Sequence, residues 1–171
     1  MTGISARRQP LAAAEISALQ AALAAEHAAA YGYGVVGAHL TGHALATARA
    51  DWVAHQVARD SLESMLQSAG ATPVAAAAAY RLPQRVHGTA AAIALAVTLE
   101  NRVTEAYLGL VAATRPTLRK FGAREVVAAA IRAASWRGHT VAFPGFPAGA
   151  VMPPKAARGQ SGHGRTPPPS G

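Results

Sequence analysis

Residues 19–40 read LQAALAAEHAAAYGYGVVGAHL, an alanine-rich stretch with one carboxylate near its middle. Steps of three and four from Ile16 pass through Leu19, Leu23, Glu26, Ala30, Tyr33, Gly37 and Leu40. That spacing follows the turn of an α-helix, so the stretch predicts one continuous helical seam, apolar except at Glu26. An isolated charge in such a seam is too costly to bury, so Glu26 has to be paired, bound to a cation or neutral. What the chain does depends on what faces Glu26.

Outward from this stretch, the first helix is expected from about 11 to the glycine-rich region at 37–40, with Thr41-Gly42-His43 as the turn. A second helix, about 44–68, has the seam Leu45, Ala48, Trp52, His55, Arg59, Leu62 and Leu66. Residues 70–85, broken by Pro73 and Pro83, are long enough to run from one end of a bundle to the other. A third helix, about 86–113, has the seam Ile93, Val97, Glu100, Thr104, Tyr107 and Val111, again with a single glutamate. Arg115-Pro116-Thr117 marks the next boundary, because proline suits a first helical turn. The fourth helix, about 117–136, shows an apolar seam at Val127, Ile131 and Ala134 and is followed by Gly138.

The two halves repeat. Leu19, Leu23, Glu26, Tyr33 and Val36 match Ile93, Val97, Glu100, Tyr107 and Leu110 at a shift of 74 residues, and a shift of 73 brings Arg59 onto Arg132. Glu26 lies 16 residues before Gly42 and Arg59 17 after it, while Glu100 and Arg132 each lie 16 from Pro116. Each glutamate is therefore level with an arginine across a helical hairpin.

Composition narrows the function classes. The chain has 171 residues and no cysteine, which excludes disulfides and thiolate metal sites. Its formal charge of +8 is uneven: residues 11–114 carry five basic and seven acidic side chains, whereas 115–137 carry six basic ones against Glu125 alone. The basic excess reads as a solvated face on the last helix plus a basic tail. No basic stretch interleaved with aromatics points to nucleic acid. GYGVVG lies inside a helical seam rather than after a strand, no P-loop or HExxH is present, and the serines lack a triad context. Residues 28–48 carry no Asp, Glu, Lys or Arg, but His39, His43 and four glycines make them a poor membrane span. A cytoplasmic protein is expected, with a loose leader over 1–10, a bundle over 11–146 and a disordered Pro/Gly-rich basic tail over 147–171. Phe143 and Phe146 are expected to dock on the bundle.

Two hairpins joined by a long crossover, with a mid-helix Glu on the first and third helices, resemble the ferritin-like fold: all-α, an antiparallel four-helix bundle. LQAALAAEHAAAYGYGVVGAHL, LENRVTEAYLGLV, YRLP and SWRG…AFPG resemble more closely a bacterial ferritin-like family of uncharacterised function, over about 12–146. The resemblance to ferritins implies a di-iron site built from Glu on the first and third helices and Glu-x-x-His on the second and fourth. Glu26 and Glu100 match, but the other motifs would stand as Arg59 to Leu62 and Arg132 to Ser135. Both metal-ligating Glu positions are arginine, which argues against ferroxidase, oxygenase or iron-storage activity.

The expected centre is an interior ionic cluster of Glu26, Arg59, Glu100 and Arg132 with His55, the two tyrosines Tyr33 and Tyr107 capping it. Guanidinium groups replace the cation there. His27 is expected at the edge of the seam, and Asp60 and Glu63 off the stripe of the second helix. No cofactor is expected. Such a protein reads as a binding or interaction module with an unknown protein partner, or self-associating as a homodimer. The alternative is an iron- or manganese-dependent oxidoreductase with a reduced di-iron-type site at Glu26, His55 and Glu100.

Overall fold

Alanine and leucine dominate the chain between its Pro- and Gly-marked boundaries, and both favour helix. The computed structural model describes residues 10–141 and 144–145. It contains α1 (Ala13–Ala38), α2 (Gly42–Ser68), α3 (Gly88–Val111) and α4 (Pro116–Arg137). No strand occurs among the described residues. Apart from Pro10, the expected leader falls outside them, as do the tail and Phe143 and Phe146. Pro144-Gly145 do come down on α3: a Cβ on Gly145 would lie 2.8 Å from Thr104. Among the described residues, no helix is long and apolar enough to cross a membrane.

The boundaries follow local chemistry. Gly42 makes the α1–α2 turn at φ +55° and Gly138 ends α4 at φ +80°, conformations that cost other residues steric strain. Pro116 opens α4, where its missing N–H would have had no partner. The Glu15 carboxylate accepts hydrogen bonds from Ala12 N (3.1 Å), Thr114 Oγ1 (3.1 Å) and Arg115 N (2.9 Å), tying the start of α1 to the start of α4. The amides of Ala12 and Arg115 hold its carboxyl below the ordinary range.

The three closely packed pairs, α1–α2, α1–α3 and α3–α4, are antiparallel. Glu26 and Tyr33 of α1 meet His55 and Asp51 of α2, Tyr107 and Glu100 of α3 meet the same two α1 residues, and Leu110 and Glu100 face Gly122 and Arg132 of α4. As the number rises on one helix, it falls on its neighbour. Glycine sets the closeness of two contacts. A Cβ on Gly32 would lie 2.6 Å from Leu99, and one on Gly122 only 2.7 Å from Leu110 Cβ and 3.1 Å from α3 backbone. The crossover, 69–87, is clasped to α1: Gln20 bonds Thr72 O and Val74 N, His27 bonds Val74 O, and Tyr31 packs on Tyr80.

Two apolar layers result. One holds Leu19, Leu23, Leu62, Leu66, Val103, Tyr107 and Leu110; the other holds Tyr33, Val36, Leu40, Leu95, Ala96 and Leu99. The charged residues lie between them. Two expected seams are corrected. Val127 and Ile131 of α4 face outward, 57% and 64% exposed, and its buried residues are Leu118, Gly122, Ala129 and Ala133. The small residues let α4 approach α3 closely, and this turns the large aliphatics away. Trp52, expected inside α2's seam, is 43% exposed on the flank next to α1.

Candidate functional site

The layer between the apolar clusters begins with two carboxylates, Glu26 on α1 and Glu100 on α3, both fully buried. The internal repeat puts a tyrosine seven residues, two helical turns, after each. Because α1 and α3 run antiparallel, each tyrosine reaches the other half's glutamate. Tyr33 Oη donates to Glu100 Oε1 at 2.6 Å and Tyr107 Oη to Glu26 Oε1 at 2.8 Å. Burial first, and then the neighbouring carboxylate, pushes both phenols far above their ordinary pKa, so they stay protonated donors.

α2 inserts His55 between the carboxylates. Its Nδ1 is 2.7 Å from Glu26 Oε2 and its Nε2 is 3.0 Å from Glu100 Oε1. A neutral imidazole has one N–H, so one of these contacts would set lone pair against lone pair; the imidazolium has two. Burial disfavours the charged ring, but the hydrogen bonds to Glu100 and Glu26 outweigh it and raise the pKa to about 9. From α4, Arg132 Nε–H lies 3.0 Å from both oxygens of Glu100. Burial weakens that cation and Glu100 more than compensates, raising its pKa. At the innermost part of the layer, Glu26 and Glu100 thus face His55 and Arg132, and no buried side-chain polar atom among the described residues lacks a partner.

The layer opens to solvent between α2 and α4, where sequence reasoning missed three members. Trp136 Nε1–H lies 2.8 Å from Asp51 Oδ2 and 3.0 Å from Tyr33 Oη. Half-buried Asp51 and Glu125 flank Arg132, and burial raises the pKa of both carboxyls. Helical spacing held a signal for two of them: Asp51 stands four residues before His55 and Trp136 four after Arg132.

Of the expected cluster, Glu26, His55, Glu100, Arg132, Tyr33 and Tyr107 come together. Arg59 does not. Its guanidinium bonds the neighbouring Asp60, with Nη2 at 2.7 Å and Nε at 2.8 Å from Oδ1. The interior space at its level is taken by the imidazole one turn earlier, so the longer side chain turns to the surface. Arg59→Ala is therefore expected to cost no more than about 1 kcal/mol, since it removes a surface ion pair and the packing of a half-buried stem but strands no buried carboxylate. Urea denaturation checks this. His27 is buried at the edge, as expected, bonded to Val74 O at 3.1 Å and 3.9 Å from Glu63.

The residues do not fit a ferritin-type metal centre. Both ring nitrogens of His55 are aimed at carboxylate oxygens, so neither faces an open coordination position. The Glu100 oxygens already accept from Tyr33, His55 and Arg132. Among the described residues, no three His, Asp or Glu side chains are arranged to hold a metal ion.

Residues 18–148 match a domain family described as a domain of unknown function, DUF4439. The crystal structure of a conserved hypothetical protein, rv2844, from Mycobacterium tuberculosis is similar at TM-score 0.71 and 35% identity, over 73% of this chain and 96% of that one. No protein of curated function matches the chain.

Proposed function

Since the chain belongs to the DUF4439 domain family, we propose that it is a ferritin-like bundle adapted as a binding or interaction module, with internal cations where a di-metal centre would stand. The observation that carries this reading is His55, whose two ring nitrogens each meet a different buried carboxylate. An enzyme centre needs an open coordination position or a group free to react. Here every buried charge is spent on another, and the layer works as a fixed polar clamp that sets helix register.

Val53 and Val57 on α2, and Val127 and Ile131 on α4, are all more than half exposed. They support contact with a protein partner or a second copy, because aliphatic side chains grouped on outer helical faces gain by being covered. Metal analysis tests the central part. After incubation with iron(II) or manganese(II) and desalting, the protein should retain well under one metal ion per chain. Stoichiometric metal, lost on Glu26→Gln or Glu100→Gln, would replace this reading with a metal-dependent oxidoreductase.

A further inference from the structure

Among the described residues, the outer groove between α1 and α2 is covered along only part of its length. At His27, which is 3.1 Å from Val74 O and 3.9 Å from Glu63 of α2, the crossover lies against both helices. Towards the α1–α2 turn, an open groove of about 290 Å³ remains, lined by Tyr33, Gly34, Gly37, Leu45, Arg49 and Trp52.

Three observations bear on what fills it. Gly34 sits in the interior of α1, where glycine weakens a helix, yet a Cβ there would meet nothing within 4 Å. Packing explains Gly32, against Leu99, but leaves Gly34 unexplained; its effect is to keep the groove floor bare. Trp52 presents a large apolar ring, 43% exposed, on the wall. Arg49, one turn earlier on α2 and facing the same groove, makes no hydrogen bond or ion pair with any described residue.

The geometry points to this groove as a binding site for a small planar aromatic carboxylate. The ring lies against the Trp52 indole over the floor left by Gly34 and Gly37, where flat apolar surfaces gain most from contact. The carboxylate takes the Arg49 guanidinium, whose fork matches it with two parallel hydrogen bonds. The volume suits a ligand at the small end of the usual range. The inference rests on the reading of the bundle as a binding module, but its test involves no metal. A protein that takes the probe and also holds stoichiometric metal contradicts that reading alone. A metal-free protein that ignores the probe contradicts this one.

The test is an NMR titration of the full chain with 2-naphthoate and its neutral counterpart, 2-naphthamide, followed at the Trp52 indole N–H and the amides of Gly34 and Gly37. Saturable shifts confined to these positions are expected, with the acid bound at least about tenfold more tightly than the amide. Arg49→Gln should bring the two affinities together. Gly34→Leu should abolish binding of both without lowering the melting temperature, and Trp52→Ala, at an exposed position, gives the same readout should the leucine disturb the helix. No saturable shift at millimolar probe, equal affinity for acid and amide, or undiminished binding by both Gly34→Leu and Trp52→Ala would overturn the assignment.

Discussion

His55→Leu should cost about 3–5 kcal/mol, the usual penalty for removing one partner of a buried ion pair. Domains of this kind are stable by only about 5–15 kcal/mol, so much of the margin goes with one side chain. Leucine fills a similar volume, and the loss is therefore electrostatic rather than a cavity. It leaves Glu26 with Tyr107 as its remaining donor, and Glu100 with Tyr33 and Arg132. A second substitution separates this cause from simple misfit. Glu26→Gln removes the stranded charge and keeps an acceptor for Tyr107, so it should recover a large part of the loss in the His55→Leu background. In the wild-type background the same change should destabilise, because it leaves the imidazolium short of a counter-charge. Chemical denaturation of the four proteins measures the coupling. A loss under about 1 kcal/mol for His55→Leu would show that the ring carries no charge.

Stability should also fall on the alkaline side. The pKa of His55 is about 9 in the fold against 6.5 for a free histidine. A base whose folded pKa is raised contributes its full stabilisation below the unfolded pKa and loses it as pH rises through the folded one. The window is thus about pH 6.5 to 9, and the loss roughly 3 kcal/mol across it. The groups facing the ring are Glu26, Glu100, Tyr33 and Tyr107, with Arg132 beyond Glu100, and both phenols remain protonated through this window. Asp51 and Glu125 act on the acid side: their carboxyl pKa values are raised, so they favour the fold at low pH and lose that contribution as they ionise. Glu15 works the other way, its lowered pKa costing stability as pH falls. Urea midpoints across the pH range should drop through the alkaline window in the wild type and stay flat there in His55→Leu.

Most of the scaffold could be read from the chain because two periodicities agree in it. The seams through Glu26 and Glu100 placed the carboxylates inside, and the repeat placed Tyr33 and Tyr107 in equivalent positions. What spacing could not supply was the direction of long side chains. Arg59 and Arg132 stand at matching levels, yet only Arg132 turns inward. The choice depends on what already fills the interior, and on α2 that is the His55 imidazole. The same competition explains α4. Val127, Ile131 and Ala134 look like a seam, but the close approach of Gly122 to Leu110 rotates the helix and gives its inner face to alanines. Asp51, Trp136 and Glu125 escaped notice because each lies on a helix flank. The four-residue spacings to His55 and Arg132 signal the first two, whereas Glu125 joins them only once α4 is placed against α3.

The central claim is that a protonated imidazole holds the two carboxylates together, and nitrogen-15 NMR of the His55 ring tests it most directly. At neutral pH both ring nitrogens should carry a proton, each coupled to it and exchanging slowly, and the ring should titrate near pH 9. A neutral ring at pH 7, with one nitrogen bare or bound to metal, would contradict the account.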